Sequence, residues 1–107
     1  PKIPSYKITT LAKAIAPEME HKVVGIRPGE KIHEEMISSS DSLNTIDLGM
    51  YFAILPFEED SKKNKRFSAY KEKFSISYFP EGKTYDSGNN DVFLSENELT
   101  ELIKAID

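Results

Sequence analysis

The sequence predicts a small α+β domain of short strands and two to three helices. Two observations carry that expectation. Apolar residues fall in strand-length runs broken by proline and glycine, the longest being Met50–Leu55 before Pro56. And the stretch from Ser95 onward pairs a helix start signal with helical spacing: Ser95 and Glu98 form a capping box, and Leu99, Leu102, Ile103 and Ile106 make one apolar stripe. No internal repeat and no clear linker divides the 107 residues, so residues 1–107 are expected to form one domain.

The elements follow in order. Pro1 to Ser5 holds two prolines and is expected to be extended. Thr9 or Thr10 is expected to cap a helix whose stripe is Leu11, Ala12, Ile15 and Ala16. Pro17 stops it, because the residue before proline avoids helical angles. Lys22 to Ile26 is rich in β-branched residues and reads as a strand. In Arg27-Pro28-Gly29-Glu30, proline presets the first central position of a turn and glycine permits positive φ at the second, the type II arrangement. Lys31 to Met36 reads as one or two helical turns, with Ile32 and Met36 on one face.

Ser38 to Ser42 is a polar loop, and Leu43 to Leu48 a short strand before Gly49. Phe57 to Lys73 is dense in charge and reads as a flexible excursion with one helical turn. In Phe74 to Phe79, Phe74, Ile76 and Tyr78 alternate with Ser75, Ser77 and Phe79, as in a half-buried strand. Pro80-Glu81-Gly82-Lys83 is a second turn, Thr84 to Asp86 a short strand, and Ser87 to Asp91 a loop. Tyr51, Phe52, Phe57, Phe74, Tyr78 and Phe79 are expected to form the core and its rim.

Composition narrows the function classes. No apolar run approaches the roughly 20 residues of a spanning helix, and no membrane contact is expected. Lys2, Lys7 and Lys13 interrupt the first apolar cluster, so it does not read as a signal peptide. The chain has no cysteine, which excludes disulfides and thiolate chemistry and fits a cytoplasmic location. A net charge of −4 argues against nucleic-acid binding through a global basic face. Lys62, Lys63, Lys65 and Arg66 are the one basic cluster, and acidic residues flank it.

Arg27 and Glu30 are the candidate ligand-binding pair. A guanidinium can hold two phosphate oxygens at once. A carboxylate can accept hydrogen bonds from both hydroxyls of a ribose. A stiff turn that fixes the two groups lowers the ordering cost of binding. The bland alternative is an exposed ion pair on an ordinary surface turn. His33-Glu34-Glu35 lacks the second histidine of a zinc helix, so no metal site is expected. Asp86 and Asp91 flank a Gly-Asn-Asn loop and read as turn formers. No tyrosine is followed four residues later by lysine. The glycines, Gly25, Gly29, Gly49, Gly82 and Gly88, form no phosphate loop. No catalytic residue and no cofactor site is therefore assigned to this chain.

Three stretches carry a family resemblance. They are Lys2 to Ile8 with Leu11 to Ala16, the segment Arg27-Pro28-Gly29-Glu30-Lys31 through Ile37, and Tyr85-Asp86-Ser87 with Asn89, Asn90 and Leu94. In that order they resemble the C-terminal region of bacterial configuration-inverting UDP-N-acetylglucosamine 4,6-dehydratases, extended short-chain dehydrogenases of polysaccharide and flagellin-sugar biosynthesis. The resemblance implies a substrate-binding domain detached from an N-terminal Rossmann half. That half would bind NADP(H) and supply a catalytic tyrosine, lysine and acid. The reaction would oxidise the sugar at C4, eliminate water across C5 and C6, and return hydride to C6 with inversion at C5. Arg27 would then contact the pyrophosphate of a UDP-sugar and Glu30 its ribose. The partners implied are the UDP-sugar and the Rossmann half of the same protein, with homo-oligomerisation left open. The alternative is a stand-alone binding or interaction module without dehydratase activity.

Overall fold

The computed structural model describes residues 1–106. Helix α1 spans Ile8–Ile15, strand β1 Glu35–Ile37, and a single 3₁₀ turn Asp41–Asn44. Strands β2 (Thr45–Asp47) and β3 (Phe52–Ile54) follow, then helix α2 (Asp60–Lys73), strands β4 (Ser77–Tyr78) and β5 (Tyr85–Asp86), and helix α3 (Glu96–Lys104). This is the α+β class expected. Among the described residues no helix is long and apolar enough to cross a membrane.

The residues group into two compact units. The first comprises Pro1–Lys2 with Glu35–Tyr85, and the second Ile3–Glu34 with the chain from Asp86 onward. In the first unit β2 is the centre of a three-stranded sheet in the order β3-β2-β4, antiparallel on both sides. Ile46 faces Ala53 across one pair and Tyr78 across the other. The β2–β3 hairpin closes tightly, with the Leu48 amide donating to the Tyr51 carbonyl at 2.8 Å. Gly49, at φ +93°, is the first of the two central residues, where a two-residue hairpin most needs glycine. β1 pairs with β5 in a separate two-stranded sheet.

The core of this unit is Ile46, Leu55 and Phe67, with Leu48, Ala53, Tyr70 and Ile76 packed around it. Its buried hydroxyls are satisfied locally. Thr45 donates to the Asp41 carbonyl, and Ser42 donates to the Ser39 carbonyl while accepting from the Gly82 amide. Phe52 packs edge-on against Phe79 and Tyr85, and the Lys2 ammonium lies 4.6 Å from the Phe52 ring centre.

The same ammonium bonds both oxygens of Asp47 at 2.8 Å. Burial pushes the Asp47 carboxyl up. Hydrogen bonds from Lys2 and the Gly49 amide, with the lysine's charge, outweigh it and hold the group below its ordinary value. The folded form thus holds its proton less tightly than the unfolded form. The contribution to stability is present above the ordinary carboxylate value and lost as pH falls through the lower folded one. Asp47→Asn is expected to flatten the acid limb of stability in that window. Urea midpoints measured down the pH scale check this; an unchanged acid limb would count against it.

The second unit is built on α1 and α3, which pack together, and Leu99 is the buried residue of α3. The capping box of α3 is present in full: Ser95 Oγ accepts from the Glu98 amide, and the Glu98 carboxylate accepts from the Ser95 amide. Ser5 makes a parallel bridge to Phe93, with two backbone bonds of 2.8 Å to Val92 and Leu94. The Asn90 side chain donates to the Ile3 carbonyl and to Ser5 Oγ.

Several local expectations are corrected. α1 starts two to three residues earlier than the cap reading allowed: Lys7 is its N-cap, without a side-chain bond, and Thr9 and Thr10 lie inside it. Ile15, Leu102 and Ile106 are exposed, so each helix buries a narrower stripe than its spacing suggested. Lys22 to Ile26 forms no strand, and Val23 and Val24 are 79% and 86% exposed. The segment has the side chains of a strand, but no described strand lies alongside to complete it. Lys31 to Met36 is not helical; its end is taken into β1 by pairing with β5.

The largest correction is α2. The expected loop is a helix of 14 residues. Its charged residues are good helix formers, with Asp60 in the first turn and Lys71 and Lys73 in the last, each favourable to the helix dipole. Phe67 seats it in the core. Phe57, expected inside, is 92% exposed. The β4 alternation is also out of phase: Phe79 is buried while Phe74 and Tyr78 are exposed.

Candidate functional site

The Arg27–Glu30 turn forms as its residues require. The Glu30 amide donates to the Arg27 carbonyl at 3.1 Å, and Gly29 sits at φ +84°. That φ is strained for any side-chain-bearing residue, so glycine sets the turn type. The turn folds the two charged side chains onto each other. Glu30 Oε1 accepts from Arg27 Nε at 2.9 Å, and Oε2 accepts from the Arg27 amide at 3.0 Å.

This arrangement has chemical consequences. The carboxylate braces the guanidinium through Nε and leaves its two terminal nitrogens without a partner among the described residues. In arginine generally, the terminal nitrogens can take part in a two-bond grip on phosphate oxygens. Each carboxylate oxygen uses one acceptor position inside the turn and retains another. Both side chains are exposed, Arg27 the more so, and such a pair adds only about 0–1 kcal/mol to stability. The pairing therefore preorganises the side chains far more than it stabilises the fold.

Downstream of the turn, the chain is clasped by the loop after β5. The Glu34 amide donates to Ser87 Oγ at 3.0 Å, and the Ser87 amide donates to the Glu34 carbonyl at 2.9 Å. The His33 ring lies on Gly88: a Cβ added there would come within 2.8 Å of three ring carbons. The loop itself is held by Asp86, whose Oδ1 accepts from the Gly88 and Asn89 amides at 2.8 Å each. Asp86 is thus the turn former its sequence suggested. No periodicity in the sequence signals the contact of His33 with Gly88, because the two lie far apart along the chain.

The remaining candidates are dispersed. His21 is exposed. On α2, Lys63 reaches the Leu43 carbonyl and the Phe67 ring. Arg66 is paired with Glu58, whose carboxyl that pairing holds below its ordinary value. Two of the four cations in the basic cluster are therefore engaged within the first unit.

The polysaccharide biosynthesis protein family model matches residues 1–56, just over half of the chain and including the whole Arg27–Glu30 turn. The chain belongs to that family. Among curated relatives, two proteins named UDP-N-acetylglucosamine 4,6-dehydratase (inverting) are close to it. One, from Campylobacter jejuni subsp. jejuni serotype O:2, is 47% identical over 103 residues. The other, from serotype O:23/36, is 46% identical over 105 residues. Each alignment covers 96% of this chain and 31% of the relative. An uncharacterized membrane protein of Methanocaldococcus jannaschii is 32% identical over 76 residues, which is 61% of this chain and 23% of that protein. This family member therefore spans about a third of the length of the dehydratases it matches.

Proposed function

We propose that this chain is the nucleotide-sugar-binding part of an inverting UDP-N-acetylglucosamine 4,6-dehydratase of surface-glycan biosynthesis, working in the cytoplasm. The observation that carries the reading is the braced Arg27–Glu30 pair on its type II turn, in a chain that resembles such dehydratases along 96% of its length. In this reading the terminal guanidinium nitrogens of Arg27 hold the pyrophosphate, and Glu30 accepts from the ribose hydroxyls. Binding energy gathered at the nucleotide then holds the sugar in place for chemistry done elsewhere.

The chemistry needs a hydride carrier, NADP in this reading. The residues of this chain do not fit one. Its glycines are scattered, four of them at positive φ in four separate places, and none makes a dinucleotide loop. No lysine stands four residues after any tyrosine. The cofactor and the proton-transfer groups are thus assigned to a Rossmann half of the same polypeptide. That half is also the proposed cover for the exposed apolar stretch from Val23 to Ile26.

The test is titration of the full-length polypeptide, of which this chain is the proposed C-terminal part, with UDP-N-acetylglucosamine. Arg27→Ala is expected to weaken binding roughly 10- to 100-fold, and Arg27→Lys to recover only part of it. Equal affinity in all three proteins would overturn the assignment of Arg27. The isolated chain is expected to bind UDP weakly, because one turn offers few contacts.

A further inference from the structure

We infer that His33, laid flat on Gly88, is a positioning residue that holds the Arg27–Glu30 turn in place. The inference rests on the reading of that turn as the ligand grip. From Pro17 through Met36 every residue is exposed, so no core packing holds this stretch. Between Met19 and His33 the hydrogen bonds among the described residues are those inside the turn itself. The first fixed point after the turn is the clasp at His33 and Glu34. It combines the reciprocal bonds between Glu34 and Ser87 with the imidazole face on Gly88.

The clasp is itself anchored. Asp86 fixes the loop at Gly88 and Asn89, and the neighbouring Asn90 ties the chain to Ile3 and Ser5. An unbroken series of contacts thus runs from the Ser5–Phe93 bridge to His33, and two residues separate His33 from Glu30. The three ring carbons lie at equal distance from the Cβ position of Gly88, so that position is over the ring face. Glycine is what lets the ring settle there. Any side chain at residue 88 displaces it.

The experiment uses the 107-residue chain and NMR. In the unsubstituted protein the Gly88 Hα signals are expected to move upfield, because they lie over an aromatic face; unshifted Hα signals would overturn the inference whether or not any variant folds. Gly88→Ala and His33→Ala are expected to speed exchange of the Glu30 amide roughly tenfold, while Ile46 and Leu99 amides keep their protection. His33→Phe, which keeps a flat ring, is expected to restore slow exchange at Glu30. A contact serving only the clasp would alter residues 33, 34, 87 and 88 and leave Glu30 exchange unchanged, which refutes the positioning role. Titration with UDP separates this from the parent reading. Normal anchoring with no UDP-induced shift at Arg27 or Glu30, even in the full-length polypeptide, would sink the ligand reading and spare the anchor.

Discussion

Phe67→Ala is expected to destabilise the first unit by about 3–5 kcal/mol and to melt α2. Phe67 is 8% exposed and is the one buried residue of that helix. Its ring packs on Tyr78, 5.1 Å between centres, and on the core formed by Ile46 and Leu55. The rest of α2 is largely charged, and a lone helix of 14 residues is marginal in water even for better sequences. Without this anchor, Tyr70 and the bond from Lys63 to the Leu43 carbonyl are what the described residues leave to hold the helix. Natural domains are stable by about 5–15 kcal/mol, so the loss removes a large share of the total. Urea unfolding followed by circular dichroism tests it. A loss under about 1 kcal/mol with the helical signal of α2 intact would show that something other than Phe67 holds the helix.

Leu99→Ala is expected to cost about 2–5 kcal/mol in the second unit. Leu99 is 4% exposed, and α1, which packs against α3, contributes no fully buried residue of its own. Ile103 is half-buried, and Leu102 and Ile106 face solvent, so the truncation has little neighbouring apolar surface to close over it. The expected result is a lower urea midpoint with fast amide exchange throughout α1 and α3. Leu102→Ala is the control: as an exposed residue it is expected to change stability by no more than about 0.5 kcal/mol. Equal effects of the two substitutions would mean that the helix is seated on a different face.

The two helices also show where sequence reading succeeds. α3 carries its start signal and its stripe within a dozen or so residues, so it was legible at once. α2 offers a helical pattern of only Phe67 and Tyr70 among mostly charged and polar residues. Its cause is the space beside Ile46 and Leu55, which no local pattern reveals. Lys22 to Ile26 is the converse case. Its side chains suit a strand, but a strand needs a neighbour, and none is present among the described residues.

The candidate site divides in the same way. That Arg27 and Glu30 sit together followed from proline and glycine between them. That they bond each other, leaving the terminal nitrogens of Arg27 without a partner among the described residues, was decided by the structure. The contact of His33 with Gly88 was hidden altogether, because the two lie far apart along the chain.

By itself, the order of residues determined the family, the α+β class, the Arg27–Glu30 turn and the cap of α3. Each local feature arises from groups a few positions apart, whose interaction survives in any context. Tertiary structure decided the helix at Asp60–Lys73, the irregular path of Lys22 to Ile26 and the anchoring of the turn through His33. Those depend on surfaces brought together from distant parts of the chain, where packing outweighs intrinsic preference.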